Sequence, residues 1–364
     1  MVLVTLLIAT LIALFAGQSL PRVIAVAPAL WAHGVLALGV MTLITAAMQH
    51  FVPVLTRGRA PGRWSARLPW LMAAAGALAS LVFAGVLDFA WVMLAAALGL
   101  CVAVLMVVWM LRRARRALGR PHPGLDWYVA AMACLALGLA AAALLPLLPR
   151  WHGALRLFHL HINLYGFIGL TAVGTLQVLL PTAADRPDPL AAVRLRDDLK
   201  WALAGSLALA IGQAWLPPLA WLGGALWAWV LGRMGLAWWR LYRHRILGWH
   251  GATPLLAAAG AGYACALIGT LTGSAPLTLF LPGFLMPLLS GAASQLLPVW
   301  LEPGHGSAWH GEARQRLTHW NGVRALLFLA AALLPLLGYR CSGMPALIAL
   351  VWFGFTLALW LTRA

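Results

Sequence analysis

Three histidines stand inside long apolar stretches of this chain, His33, His159 and His161, and a neutral imidazole there has one obvious chemistry. It is a good ligand for haem iron and for copper. The placement is not random. His33, Gln49 and Pro53 recur at the same offsets as His161, Gln177 and Pro181, with Gln sixteen residues after His and Pro four further on. A third stretch carries Gln295 and Pro298, one residue tighter, and has no histidine at the matching start. The glutamines lie 128 and 118 residues apart, about a third of the chain each time, which points to three related blocks.

A histidine within a membrane crossing is costly unless partnered, so it marks a functional site by default. The plainer alternative is a neutral ring hydrogen-bonded to a neighbouring helix, with Gly39, Gly166, Gly169 and Gly174 allowing close helix contact. Ligation is the expectation here because two histidine positions fall at matched depth in repeated segments. His33 and His161 are the expected metal-binding pair, with His159 as a further candidate. His159 and His161 are two residues apart and so lie on roughly opposite faces of one helix. Gln49 and Gln177 sit about 24 Å deeper along their helices. His50, His122, His244, His250, His305, His310 and His319 fall near the opposite edge of the bilayer, and His152 near the same edge as His33. The spacing of His305, His310 and His319 fits no zinc pattern, and no metal is assigned to them.

The elements that must position these residues are membrane helices. Of 364 residues, 63% are apolar and 9% charged, with mean hydropathy +0.90, and apolar runs of about 20 residues recur along the chain. The expected fold is an all-α polytopic membrane protein, a single membrane domain over residues 1–364. It has about twelve transmembrane helices in three pseudo-repeated four-helix blocks, near 1–120, 121–245 and 246–364. The spans are placed near 1–17, 28–53, 68–87, 90–111, 127–148, 157–181, 201–216, 218–239, 252–273, 277–300, 320–338 and 344–362. The first lacks the basic start and small-residue cleavage site of a secretory signal, and reads as a retained helix. The stretches Ala183 to Lys200 and Glu302 to His319 are expected as the longest connecting linkers. Cys101, Cys134, Cys265 and Cys341 show no paired spacing and are expected as small packing residues rather than a disulfide framework.

Charge assigns the sidedness. With twelve spans, 21 of the 25 basic residues fall on one side and only Arg22, Arg150, Arg156 and Arg340 on the other. The rich side is expected to be cytoplasmic, with both termini there, in a bacterial-type inner membrane. The net charge of +17 is therefore a topology signal rather than a nucleic-acid footprint.

Twelve helices in three blocks, with His33 on the second and the sequence HINLYGF on the sixth, resemble the large subunit of haem-copper oxidases and nitric oxide reductases, the cytochrome c oxidase subunit I-like proteins of respiratory chains. The resemblance covers the whole chain in architecture but only short motifs in residues. It implies a haem-ligand role for His33. It also implies a copper-ligand role for His161, with Tyr165 four residues on, in the His–x3–Tyr spacing, beside the centre. Span ten has no histidine and span seven lacks the adjacent histidine pair, so a complete oxygen-reducing centre is not expected. The second span is also similar to that of the NnrS family, membrane proteins with haem and copper linked to nitric oxide metabolism. The implied cofactors are haem, copper or both, bound through His33, His159, His161 and Tyr165. The implied role is in respiratory redox or nitric oxide metabolism, with a redox partner or other membrane subunits beside the lipid bilayer.

Two cofactor-free readings stand next to this one. A coupled transporter usually needs carboxylates within the membrane. All eight acidic residues fall at span ends or in loops, which leaves a passive or anion pathway. An assembly partner of a respiratory complex needs no histidine in the membrane at all. The chain carries no phosphate-binding glycine loop, no nucleophile elbow and no HExxH sequence.

Overall fold

A computed structural model describes residues 2–19, 27–304, 306–339 and 343–362. Arg22, His305, Arg340, Cys341 and Arg363, used in the sequence reading, lie outside the described residues. The described chain is helical without strands. Its helices are α1 (Val2–Ser19), α2 (Pro28–Leu55), α3 (Leu68–Phe83), α4 (Trp91–Arg115), α5 (Gly124–Leu144), α6 (Pro149–Ala183) and α7 (Ala191–Ala214). They continue with α8 (Pro217–Ile246), α9 (Thr253–Leu271), α10 (Pro276–Leu301), α11 (Ala308–Leu317), α12 (Asn321–Leu336) and α13 (Gly343–Leu361).

Each of the twelve expected spans falls on helix. Ten helices among the described residues are long and apolar enough to cross a membrane, and α11 with α12, bent by 41°, makes an eleventh if the pair is one span. The protein is a multi-pass, all-α membrane protein. The segment expected at 201–216 is the exception. Its helix α7 starts ten residues earlier, at Ala191, so it carries Arg194, Arg196, Asp197, Asp198 and Lys200 in its first turns. The expected linker is thus helical over half its length. Arg194 and Asp198, four residues apart on one face, are both buried, which is why the charged stretch folds onto the protein instead of looping away. The second expected linker likewise holds a helix, α11, between Ala308 and Leu317. Of the cysteines, Cys134 is buried and Cys265 half-buried, but Cys101 is exposed on α4 rather than packed.

The chain gathers into two compact units. One comprises Ile24–Thr175 and Leu190–Val230; the other Met1–Val23, Leu176–Pro189 and Leu231–Ala364. In the first, α2 packs on α3, α3 on α4, α4 on α5, α5 on α6 and α6 on α7. In the second, α9 packs on α10 and α12, α12 on α13, and α1 on α10 and α13.

The repeated segments share a local structure. Helices α2, α6 and α10 each contain a stretch of π-helix, at His33–Met41, Ile162–Ile168 and Phe280–Leu285. π-Helix is rare and usually no more than a single turn, and it occurs often at functional sites. The three stretches begin sixteen, fifteen and fifteen residues before Gln49, Gln177 and Gln295. In α2 and α6 the likeness continues to the helix end. The carbonyls of Pro53 and Pro181 accept the N–H of the fifth residue on, Gly58 at 2.8 Å and Arg186 at 3.2 Å. The residues just before those donors, Arg57 and Asp185, take left-handed φ of 49° and 51°. That is a six-to-one closing bond over a left-handed cap residue, at the same register in both.

Candidate cofactor-binding site

The residues around His33, His159 and His161 lie within the first unit. His33 opens the π-helical stretch of α2, and its Nδ1 lies 2.7 Å from the carbonyl of Ala29, one turn back. A carbonyl only accepts, so Nδ1 carries the hydrogen and Nε2 is the basic nitrogen. Phe83, the last residue of α3, lies against the ring with centres 4.2 Å apart and planes 26° apart. Helix α3 reaches this position because Gly76 has no side chain. A Cβ there would stand 2.6 Å from the carbonyl oxygen of Ala37, inside the π-helical stretch.

Opposite stands His159, on the last α-helical turn of α6 before its π-helical stretch. Its ring centre is 6.3 Å from that of His33, and the planes are 13° apart. Its Nδ1 donates to the carbonyl of Gly138 on α5 at 2.8 Å, so again Nε2 is the nitrogen left with a lone pair. Asn163, one turn further along α6, donates to the carbonyl of His159 at 2.7 Å. It fits only because residue 138 is glycine, where a Cβ would fall 2.6 Å from Asn163 Nδ2.

His161 points elsewhere. Its Nδ1 donates to the carbonyl of Leu157 at 2.8 Å, and its ring lies parallel to that of Tyr165, with centres 6.4 Å apart. The ring is 2% exposed, and Nε2 has no hydrogen-bond partner among the described residues. Tyr165 is fully buried within the second π-helical stretch. Its carbonyl accepts the hydroxyl of Ser206 on α7 at 2.9 Å, and Ser206 in turn accepts from the indole of Trp227 at 3.2 Å. A π-turn frees a backbone acceptor, and a neighbouring helix supplies the donor.

The expected residues are therefore brought together in a particular way. His33 faces His159, while His161 and Tyr165 share a second locus on the same helix. The reason is angular. Successive residues turn about 100° around a helix, so the two-residue step from 159 to 161 swings the ring through about 200°. Matching depth alone does not choose between them; the face does. Phe83, Gly138 and Asn163 escaped the sequence reading, because none has a chemical signature until the helices are side by side.

All three imidazoles have Nδ1 tied to a backbone carbonyl and Nε2 available. Such a bond to one nitrogen fixes the tautomer and orients the other nitrogen as a ligand, the usual outer-shell arrangement at metal sites. A metal–nitrogen bond of about 2.0 Å, with about 1 Å more from nitrogen to ring centre, puts two rings on one ion about 6 Å apart. The 6.3 Å separation of His33 and His159 agrees with that spacing. Among the described residues no group of three or more His, Cys, Asp or Glu gathers around a point. A pair of imidazoles can hold an ion whose remaining ligands arrive with it, as the four pyrrole nitrogens of a haem do.

Three further histidines, in the second unit, have structural employment. His310 caps α11: Nδ1 accepts from Ser307, and Nε2 donates to the carbonyl of Glu302 at 2.9 Å. His250 stacks on His319 with centres 4.9 Å apart and accepts the N–H of Trp320 at 3.2 Å.

No family model, no curated protein and no solved structure matches this chain.

Proposed function

We propose that this chain is a haem-binding, or haem- and copper-binding, membrane protein of redox or nitric oxide metabolism, with His33 and His159 as the residues that would hold one haem. The observation that carries the reading is the parallel pair of imidazoles 6.3 Å apart, each with Nδ1 committed to a carbonyl. A bound haem would supply one-electron chemistry and the protein its orientation and apolar surroundings. Held by two histidines, a haem would suit electron transfer better than oxygen reduction. The resemblance to haem-copper oxidases enters as support for the class of cofactor and leaves the oxygen-reducing centre out. His161, with its free Nε2 beside Tyr165, is the candidate for copper.

The test is an optical spectrum of the full-length protein, purified from cells supplied with iron, copper and haem precursor. A Soret band that sharpens and shifts on reduction, with a narrow α band, supports two-histidine iron. Protein that carries neither haem nor copper under those conditions overturns the proposal. The cofactor-free readings, a passive transporter or an assembly partner, then take its place.

A further inference from the structure

The structure holds a second feature that the cofactor site does not use. At the ends of α2 and α4 lies a cavity of about 580 Å³, within the first unit. Arg57, Arg59, Arg112, Arg113 and Arg116 all line it, together with the indole of Trp64, and no lining residue is acidic. We infer that this cavity binds the phosphodiester headgroup of an anionic phospholipid.

The arginines have two separate jobs. Arg113 is half-buried. Its guanidinium donates to the carbonyls of Arg59 and Ala60 and lies 5.0 Å from the ring centre of the buried Trp109. It pins the loop that follows α2 against α4, and the left-handed turn at Arg57 starts that loop back over the helix end. The side chains of Arg57, Arg59, Arg112 and Arg116 are exposed, and no carboxylate pairs with them among the described residues. Four guanidinium groups around one cavity offer the planar, paired donors that phosphate oxygens accept best.

A topology signal explains the sign of these residues but not their convergence. Sidedness needs basic residues somewhere beyond the helix ends, without a cavity and without an aromatic wall. The apolar lining argues for lipid over a soluble anion. Trp64 is 49% exposed and Leu118 84% exposed, both on the same cavity at the ends of two apolar helices. Tryptophan at that level sits among headgroups, and basic pockets at helix ends on the cytoplasmic side are where anionic headgroups are held.

The test uses the full-length protein in neutral-detergent micelles, with lipids retained per molecule counted by native mass spectrometry. Phosphatidylglycerol and phosphatidylcholine are offered at equal concentration. The wild type is expected to retain phosphatidylglycerol with a preference of about tenfold or more. The triple change Arg59→Gln, Arg112→Gln, Arg116→Gln should bring the preference close to unity. All three side chains are exposed, and the single change Arg116→Gln gives a milder version with a partial loss. A charge-matched triple, Arg240→Gln, Arg243→Gln, Arg245→Gln, should keep the wild-type preference. Equal retention of both lipids by the wild type overturns the inference, as does an equal loss in the two triples, which would mean net charge rather than this cavity. Excess inorganic phosphate should leave the retained lipid in place. Phosphate that displaces it completely would assign the cavity to a free anion and overturn the lipid assignment.

Discussion

The imidazoles of His33 and His159 lie nearly parallel across two helices, 6.3 Å between ring centres, and the carbonyls that hold them come from Ala29 and Gly138. One anchor is a turn back on the same helix and the other is on a third helix. The pair is thus built from α2, α5 and α6, with Phe83 of α3 closing one face. Both rings are half-buried, and one metal bound between them would engage both Nε2 atoms at once.

The first prediction separates the three histidines. His33→Ala and His159→Ala should each abolish bound haem, measured as the pyridine haemochrome per mole of protein. His161→Ala should leave haem at the wild-type level and lower copper, measured by elemental analysis. A loss of haem on His161→Ala with retention on His159→Ala would reverse the assignment of the pair.

A second prediction concerns Gly138. A methyl group there would meet Asn163 at 2.6 Å, and the same residue's carbonyl anchors His159. Gly138→Ala should therefore destabilise the protein by about 1–3 kcal/mol, the usual cost of overpacking, and reduce haem content together with stability. The double change Gly138→Ala, Asn163→Ala removes the clash while leaving the carbonyl in place, and should recover part of both. A double variant no better than the single would show that the glycine serves the helix backbone rather than Asn163.

The fold class was legible from composition, because apolar runs of bilayer length admit little else than membrane helices. The offset joining His33, Gln49 and Pro53 to His161, Gln177 and Pro181 has a structural counterpart in α2 and α6: a left-handed cap at the same register, and π-helical stretches that begin sixteen and fifteen residues before the glutamine. The three histidines were visible as types in unusual places. Which two face each other was not, since that depends on helix rotation and on neighbours. Gly76 and Gly138 carry no chemistry of their own, yet they set how closely α3 and α5 approach. The segment expected to cross at 201–216 is not among the ten helices long and apolar enough to cross, because its helix begins at Ala191 and carries a charged start that looked like loop.

The third prediction is a pH dependence outside the membrane-spanning segments. His122, just before α5, accepts the N–H of Gly124 through Nδ1 at 3.1 Å. Burial first, and the positive charge of Arg196 second, hold its pKa below the ordinary 6.5. Protonation removes the acceptor, so the folded state favours the neutral ring and the unfolded chain takes up the proton first. Stability should therefore be level above about pH 6.5, fall as pH drops below it, and level again below the folded pKa. His122→Gln should flatten that fall in thermal unfolding curves recorded between pH 7.5 and 5 in detergent. An unchanged slope in the variant would assign the dependence to other groups.

The fourth prediction is the topology. The 21-to-4 partition of basic residues places the loops after α2, α4, α6 and α8 on the cytoplasmic side. Reporter fusions after Arg67, Arg120 and Asp188 should report cytoplasm, and fusions near Asp88 and Trp151 the opposite side. Asp188 is the useful point after α6, because Lys200 lies within α7, where a fusion would interrupt a helix. The segment α7 decides the outcome. Its apolar part is short, and it meets the requirement for a crossing only if its charged first turns stay in the headgroup region. If α7 crosses, fusions near Trp215 and after Ile246 fall on opposite sides, with Ile246 cytoplasmic. If α7 lies along the surface instead, both assignments invert, and so does every later loop. The second outcome would place the cluster of Arg240, Arg243 and Arg245 on the outer side, against the charge rule.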